Sequence, residues 1–312
     1  LINYPAAPCQ EQTEQIAIDA VYTAEEIIEL TQGRLAAGMT PDAAGALCSD
    51  TRILEEGEWF IALSGANYDG HDFLGAAFAC GALGCIVEER PSYAVANQNF
   101  PLIAVTSTAD AHHKLAFNWR RRVAPKTILI CGAKEEVRQL IRSLEQALDE
   151  RGKDVQSFFE SGKEADALDF LLSVSVHTDA ILFAMMPDEF DAIERLAMTV
   201  QPAVVVILRG AFENFRLLQS AVEIGRVKRK LFSSVSRSDG ALITVGQPDN
   251  LLTDLKVQYT VENYSVQRPV DDELSASAMF APVGEINMVP SSARPDHAET
   301  KWCAERVLRY FM

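Results

Sequence analysis

Apolar residues recur along this chain with two different periods, and the alternation between them sets the fold class. Short β-branched or aromatic runs at Trp59 to Leu63, Cys85 to Val87, Leu102 to Val105, Thr127 to Cys131, Ala180 to Phe183, Ala203 to Leu208 and Ala241 to Val245 have the character of buried strands. Between them lie stretches with apolar positions at steps of three and four. The clearest puts Val137, Leu140, Ile141, Leu144 and Leu148 on one face of a long helix. Burying each contributes about 1.5–3 kcal/mol, so this helix has a sufficient structural reason to persist. Further helices are predicted at 23–32, 73–80, 109–122, 188–199, 220–232 and 298–310. Strand and helix in alternation predict an α/β protein with a mainly parallel sheet covered on both faces.

Local signals mark the ends of these elements. Thr23 followed by Glu26 is a capping box, and Gly33 is placed to end the helix it opens. Arg120, Arg121 and Arg122 suit the negative pole of the helix that they close, and Pro125 punctuates a boundary. The chain divides into a polar arm over 1–22, a first domain over 23–124, a second over 125–270 and an irregular tail over 271–312 with a short closing helix. In the tail Pro282, Pro290 and Pro295 interrupt the pattern.

Composition narrows the function. Among 312 residues, 44 acidic side chains outweigh 28 basic ones, so the average surface repels nucleic acid and anionic lipid. The cysteines Cys9, Cys48, Cys80, Cys85, Cys131 and Cys303 have no zinc-knuckle or C-x-x-C spacing and read as reduced thiols. No apolar run approaches the roughly 20 residues of a membrane span, and no signal-peptide core is present near the start. The expected compartment is the cytoplasm, or the equivalent reduced compartment of a bacterial-derived organelle. The first residue, Leu1, leaves a processed leader open.

Candidate chemistry gathers in two places. Ser49-Asp-Thr-Arg52 offers a carboxylate, a hydroxyl and a guanidinium fork at a loop edge, which suits uracil or a diphosphate. Asp69-Gly70-His71 adds a turn with two polar groups. The alternative for the same residues is structural: Asp50 and Arg52 pair with each other, and Asp69-Gly70 is simply a turn. These blocks, with Gly57-Glu-Trp-Phe-Ile-Ala-Leu-Ser-Gly65, Phe73 and Ala76 to Gly81, resemble the N-terminal domain of the peptidoglycan Mur ligases, most of all the D-alanyl-D-alanine-adding branch. That resemblance implies a UDP-binding-type domain in which Asp50, Thr51, Arg52, Gly65, Asp69 and His71 hold the UDP end of a nucleotide sugar.

It also implies a P-loop-type central domain, and there this chain departs from the family. Where the family has T-G-[ST]-x-G-K-[ST], the chain reads Cys131-Gly-Ala-Lys-Glu-Glu-Val137. That loop works through glycine-freed N–H groups, a lysine on the transferred phosphate and a hydroxyl on magnesium. One glycine remains, and Glu135 and Glu136 place negative charge where triphosphate would lie. Lys134 is at best a displaced remnant of the loop lysine. The magnesium glutamate falls at Phe183 and the metal-site histidine at Asn214, while Val245-Gly246-Gln247 replaces the adenosine-side Asn-x-Asp. Lys228 alone matches, at the position of a lysine that is carbamylated in the family. Losing a lysine contact and a magnesium ligand removes about 3–6 kcal/mol, or roughly two to four decades of ATP affinity. The family's C-terminal domain would begin about where the chain stops, at Trp302 to Met312.

The expectation is therefore a degenerate, non-catalytic homologue, a binding or scaffolding module that retains UDP-sugar recognition, with no metal site and no cofactor. Its expected partners are a UDP-MurNAc peptide or a protein assembly. Two alternatives stand beside it. One is an active ATP-dependent D-Ala-D-Ala ligase with an unorthodox nucleotide loop that uses Mg-ATP; the other is a purely structural subunit.

Overall fold

The computed structural model describes residues 20–65, 68–89, 100–159, 164–185, 190–208, 231, 234–235, 241–245, 260–264 and 295–311. Strands β1 (Val21–Tyr22), β2 (Arg34–Ala37), β3 (Gly45–Cys48), β4 (Trp59–Ile61), β5 (Gly84–Glu88) and β6 (Leu102–Val105) form a first sheet in the order β1-β3-β4-β5-β6-β2. Its four central strands are parallel and its two edges antiparallel. Helices α1 (Ala24–Thr31), α2 (Leu74–Ala79) and α3 (Thr108–Val123) accompany it. A second, wholly parallel sheet holds β7 (Lys126–Cys131), β8 (Val155–Phe158), β9 (Ala180–Ala184), β10 (Val204–Ile207), β11 (Ala241–Val245) and β12 (Thr260–Tyr264), in the order β12-β11-β10-β7-β9-β8. It is served by α4 (Lys134–Asp149), α5 (Glu164–Leu172), α6 (Phe190–Val200) and α7 (Pro295–Arg309). The expected α/β class with a parallel sheet is what the chain adopts.

Side-chain alternation divides the interior formed by the described residues into three apolar regions. Leu129, Cys131, Ile181, Phe183, Val205 and Ile207 face the same core as Trp59, Ile61, Ile86 and Ile103 of the first sheet, with α1, α3, α5 and α6 between them. On the opposite face of the second sheet, Ile128, Ile130, Leu182, Val204 and Val206 pack on the predicted stripe of α4 and on Trp302, Cys303 and Val307 of α7. The third region covers the outer face of the first sheet, where Phe60, Cys85 and Val87 meet Leu74 and Ala77 of α2. In a parallel sheet both faces must be covered, and here helices cover them.

Several local expectations change in detail. Thr23 caps α1 with both bonds of the capping box, but Gln32 rather than Gly33 takes the left-handed cap at φ 61°. Gly33 serves close approach instead, because a Cβ there would lie 2.9 Å from the Ala104 carbonyl of β6. Residues 20–22, placed by the sequence at the end of a polar arm, enter the first sheet: β1 pairs with β3 and Tyr22 is fully buried. The closing helix of the supposed tail is likewise part of the core. The helix expected at 220–232 lies mostly outside the described residues.

Arg120 also does something other than serve its own helix. Its guanidinium donates to the Val200 carbonyl at 2.7 Å and the Gln201 carbonyl at 3.0 Å, closing the end of α6, and to Thr127 Oγ1 at 3.2 Å. A charge at a helix C-terminus is favourable, and here it is supplied from a neighbouring helix.

Candidate functional site

The loop that leaves β3 brings residues 49–53 to a cleft whose opposite wall is the first half of α5. A cavity of about 540 Å³ lies between them, bounded also by Tyr68, Gly70 and Phe73 and, from α5, by Ala165, Asp166 and Asp169. That volume is within the roughly 300–1,000 Å³ of small-molecule sites. The rim is apolar and open: Ile53, Tyr68 and Phe73 are 72%, 53% and 44% exposed, too much for core residues.

Three sequence-predicted residues, Asp50, Thr51 and Arg52, line this cavity. Asp50 and Arg52 are joined to each other. Arg52 Nε donates to the two carboxylate oxygens at 2.9 and 3.0 Å, Nη2 meets Oδ2, and the Arg52 backbone N–H bonds Oδ1 at 3.0 Å. The hydrogen bonds that Arg52 donates to Asp50 hold the Arg52 pKa above its ordinary value. The self-paired alternative is thus the one this loop adopts. Gly65 backs the rim, since its N–H donates to the Tyr68 carbonyl at 2.8 Å and a Cβ would sit 3.0 Å from the Tyr68 ring.

Asp69 and His71 stand behind the cavity. Asp69 Oδ1 accepts from Ser64 Oγ and from the His71 backbone N–H, both at 3.1 Å. His71 is buried, and its Nε2 accepts the Glu88 N–H at 3.0 Å, so Nδ1 carries the proton that faces Asp69. Both ring nitrogens of His71, the residue expected to meet a ligand, are engaged by these internal contacts. Gly70 permits this turn, because a Cβ would come within 2.6 Å of the Leu63 carbonyl.

The sequence did not single out Tyr68, Asp166 or Asp169, and it marked Phe73 only as part of a motif, not as a cleft residue. Ser49 Oγ donates to Asp169 Oδ2 at 2.6 Å, fixing the loop to α5. Buried His112 approaches Asp169 Oδ1 to 2.9 Å, but off the hydrogen-bonding direction, so neither atom has an aligned partner. Helix α5 was not predicted; the signal that could have found it is the stripe Ala167, Leu168, Leu171 and Leu172, whose opposite face holds 165, 166 and 169.

The second candidate region is the C-terminal end of the parallel sheet. β7 leads to α4 on one face and β9 to α6 on the other, the topology at which open α/β sheets bind ligands outside the strand ends. A Cβ on Gly132 would lie 2.8 Å from Leu208 Cβ, so Leu208 packs directly on that backbone. The first turn of α4 has no side-chain cap at Ala133 and carries Glu135 and Glu136. Lys134 is exposed, with Nζ 5.8 Å from the centre of the Phe159 ring. Phe183 is fully buried, stacked on Phe158 at 4.9 Å and 6.1 Å from Phe170. Asn214 and Lys228 lie outside the described residues. Among the described residues no group of three or more metal-ligating side chains comes together, and no helix is long and apolar enough to cross a membrane.

No family model matches the chain. The UDP-N-acetylmuramoyl-tripeptide--D-alanyl-D-alanine ligase of Synechocystis is 25% identical to it over 236 residues, covering 73% of this chain and 51% of that protein. Among solved structures, MurF from Acinetobacter baumannii superposes with a TM-score of 0.66 at 21% identity, over 78% of this chain and 53% of that one. The chain's relatives and structural neighbours are Mur ligases, among them several of the MurF type. The MurF ligase of Thermotoga maritima in complex with ADP is a further neighbour, with a TM-score of 0.58 at 18% identity over 71% of this chain and 50% of that one. The mixed α/β architecture with parallel sheets is therefore that of MurF domains. The chain spans about half the length of the curated relatives it matches.

Proposed function

We propose that this chain is a non-catalytic Mur-ligase homologue, a binding or scaffolding module whose ligand site is the cleft between the first sheet and α5. The observation that carries this reading is Phe183. At the position where the resemblance puts a magnesium-binding glutamate, an aromatic ring is fully buried in a cluster with Phe158 and Phe170. Leu208 on Gly132 and the acidic first turn of α4 add support, since phosphoryl transfer depends on positioned positive charge and free N–H groups. These side chains do not fit Mg-ATP, and no step is derived through it. Residues 23–124 supply the recognition domain and 125–270 the degenerate central domain, acting in the cytoplasm.

UDP-N-acetylmuramoyl peptides, the compounds in the relatives' names, are the first ligand class to test. Calorimetry with Mg-ATP should show no binding heat, while a UDP-MurNAc peptide should raise the melting temperature through ligand linkage. Magnesium-dependent ATP binding in the micromolar range would instead favour an active ATP-dependent amide ligase, a reading supported by the sheet topology around β7 and β9. A chain that answers neither ligand would be a purely structural subunit.

A further inference from the structure

We propose that Asp50 is an intramolecular competitor for the anionic end of the ligand: its carboxylate occupies the guanidinium fork of Arg52, and a nucleotide sugar reaches that fork only by displacing it. This rests on the reading of the cleft as the site of a UDP-sugar ligand. Both residues line the cavity. Arg52 Nε spans the two Asp50 oxygens at 2.9 and 3.0 Å and Nη2 meets Oδ2, so the edge of the guanidinium that pairs side-on with an oxyanion is already taken. Among the described residues, Asp50 is the carboxylate with which Arg52 pairs. A diphosphate suits the same edge, and it carries charge on two phosphates rather than on one carboxylate.

The contact is placed to open. The Arg52 side chain is 86% exposed, so solvent screens the pair and it holds weakly. The backbone of the loop does not depend on it. Asp50 Oδ1 accepts the Arg52 backbone N–H at 3.0 Å, and the Asp50 carbonyl accepts from Cys48 Sγ and from the Ile53 N–H, both at 3.2 Å. These bonds persist when the guanidinium swings away, so the fork moves and the turn stays.

The exchange sets a threshold. A ligand without charge gains nothing from displacing Asp50, whereas a diphosphate gains a cation that is otherwise neutralised where it stands. Once displaced, the Asp50 carboxylate remains beside the ligand as a like charge and raises the threshold further. The pair thus selects ligands by the negative charge they bring to the Arg52 edge.

The test is a double-mutant cycle read by calorimetry, with UDP-N-acetylglucosamine and uridine as probes on wild type, Asp50→Asn, Arg52→Gln and the double variant. Asparagine keeps an acceptor for the Arg52 backbone N–H, and uridine, which brings no phosphate, reports any damage to the cleft. Asp50→Asn should tighten UDP-N-acetylglucosamine by about fivefold when Arg52 is present and clearly less when it is glutamine. Uridine should bind all four proteins alike. Equal tightening in both backgrounds would mean that Asp50 acts through its charge alone, and weaker binding by Asp50→Asn that it supports the ligand. Either result, or a matching change in uridine binding, overturns the competition while the cleft remains a ligand site. No binding of UDP-N-acetylglucosamine to any of the four proteins overturns the proposal and the reading of the cleft together.

Discussion

Ser49 Oγ donates to Asp169 Oδ2 at 2.6 Å across 120 positions of sequence, joining the loop after β3 to the helix that precedes β9. It is one of several polar ties between the two sheets and their helices. Trp119 Nε1 donates to the Val174 carbonyl at 2.9 Å, and the Ala20 N–H to the Leu172 carbonyl at 3.2 Å. All three end on α5 or the turn that follows it, so α5 is both the wall of the cleft and the seam of the molecule. A ligand that moves α5 therefore acts on both halves at once.

Removing this tie should cost stability unequally from its two ends. Ser49→Ala loses one hydrogen bond to a carboxylate and should cost about 1–2 kcal/mol. Asp169→Ala should cost more, about 2–3 kcal/mol, because Ser49 loses its acceptor and buried His112 loses the carboxylate 2.9 Å from its Nε2. Urea denaturation of the two variants would measure the difference, and equal costs would mean that His112 gains nothing from Asp169.

The shared core between the sheets predicts a single unfolding transition. Tryptophan fluorescence and far-UV circular dichroism should trace the same urea curve, because Trp59, Trp119 and both sheets belong to one apolar cluster or its direct contacts. Arg120→Met should shift both probes together by about 2–4 kcal/mol, since it leaves the carbonyls of Val200 and Gln201 without their donor. Two separated transitions would show that the halves are energetically independent.

Phe183 offers a direct test of the non-catalytic reading. Phe183→Glu restores the residue type that the resemblance associates with magnesium, but it sets a carboxylate among Phe158 and Phe170 in a fully buried position. The expected result is destabilisation by about 3–5 kcal/mol without any magnesium-dependent stabilisation. Phe183→Leu, which keeps the site apolar, should cost much less and remain folded. A glutamate variant stabilised by magnesium would falsify the view that this position has left metal chemistry.

Particular residues explain what the sequence made legible. The strands at 127–131, 180–184 and 204–207 are unmixed apolar runs because both faces of a parallel sheet are covered, and that leaves an unambiguous signal. Thr23 with Glu26 was legible because a capping box is local. The cleft was only half legible. Asp50 and Arg52 announce themselves as polar loop residues, but Asp166 and Asp169 reach them from more than a hundred positions away, and no local pattern encodes that distance. His71 shows the converse: its type and spacing suit a ligand contact, and only the short turn at Gly70–Phe73 directs the ring inward to the Glu88 N–H.

Glu164, at the start of α5, gives the seam a pH dependence with a definite sign. Burial raises its pKa, but the hydrogen bond from His113 at 3.0 Å and the charges of His113, Arg195 and His112 outweigh that, and the net shift is below the ordinary value of 4.5. A carboxylate whose folded pKa lies below its unfolded one adds stability in full above the unfolded value. That contribution fades as pH falls below 4.5 and is lost once the folded carboxylate is itself protonated. Glu164→Gln should therefore reduce stability at neutral pH and flatten the decline on the acid side, with wild type and variant converging at the lowest pH. Because Glu164 is only partly buried, solvent screening keeps the effect modest. Melting temperatures measured from pH 7 down to about pH 3 would settle it: parallel curves for the two proteins would mean that Glu164 carries no linkage, and a variant that diverges further from wild type as pH falls would reverse the sign argued from His113 and Arg195.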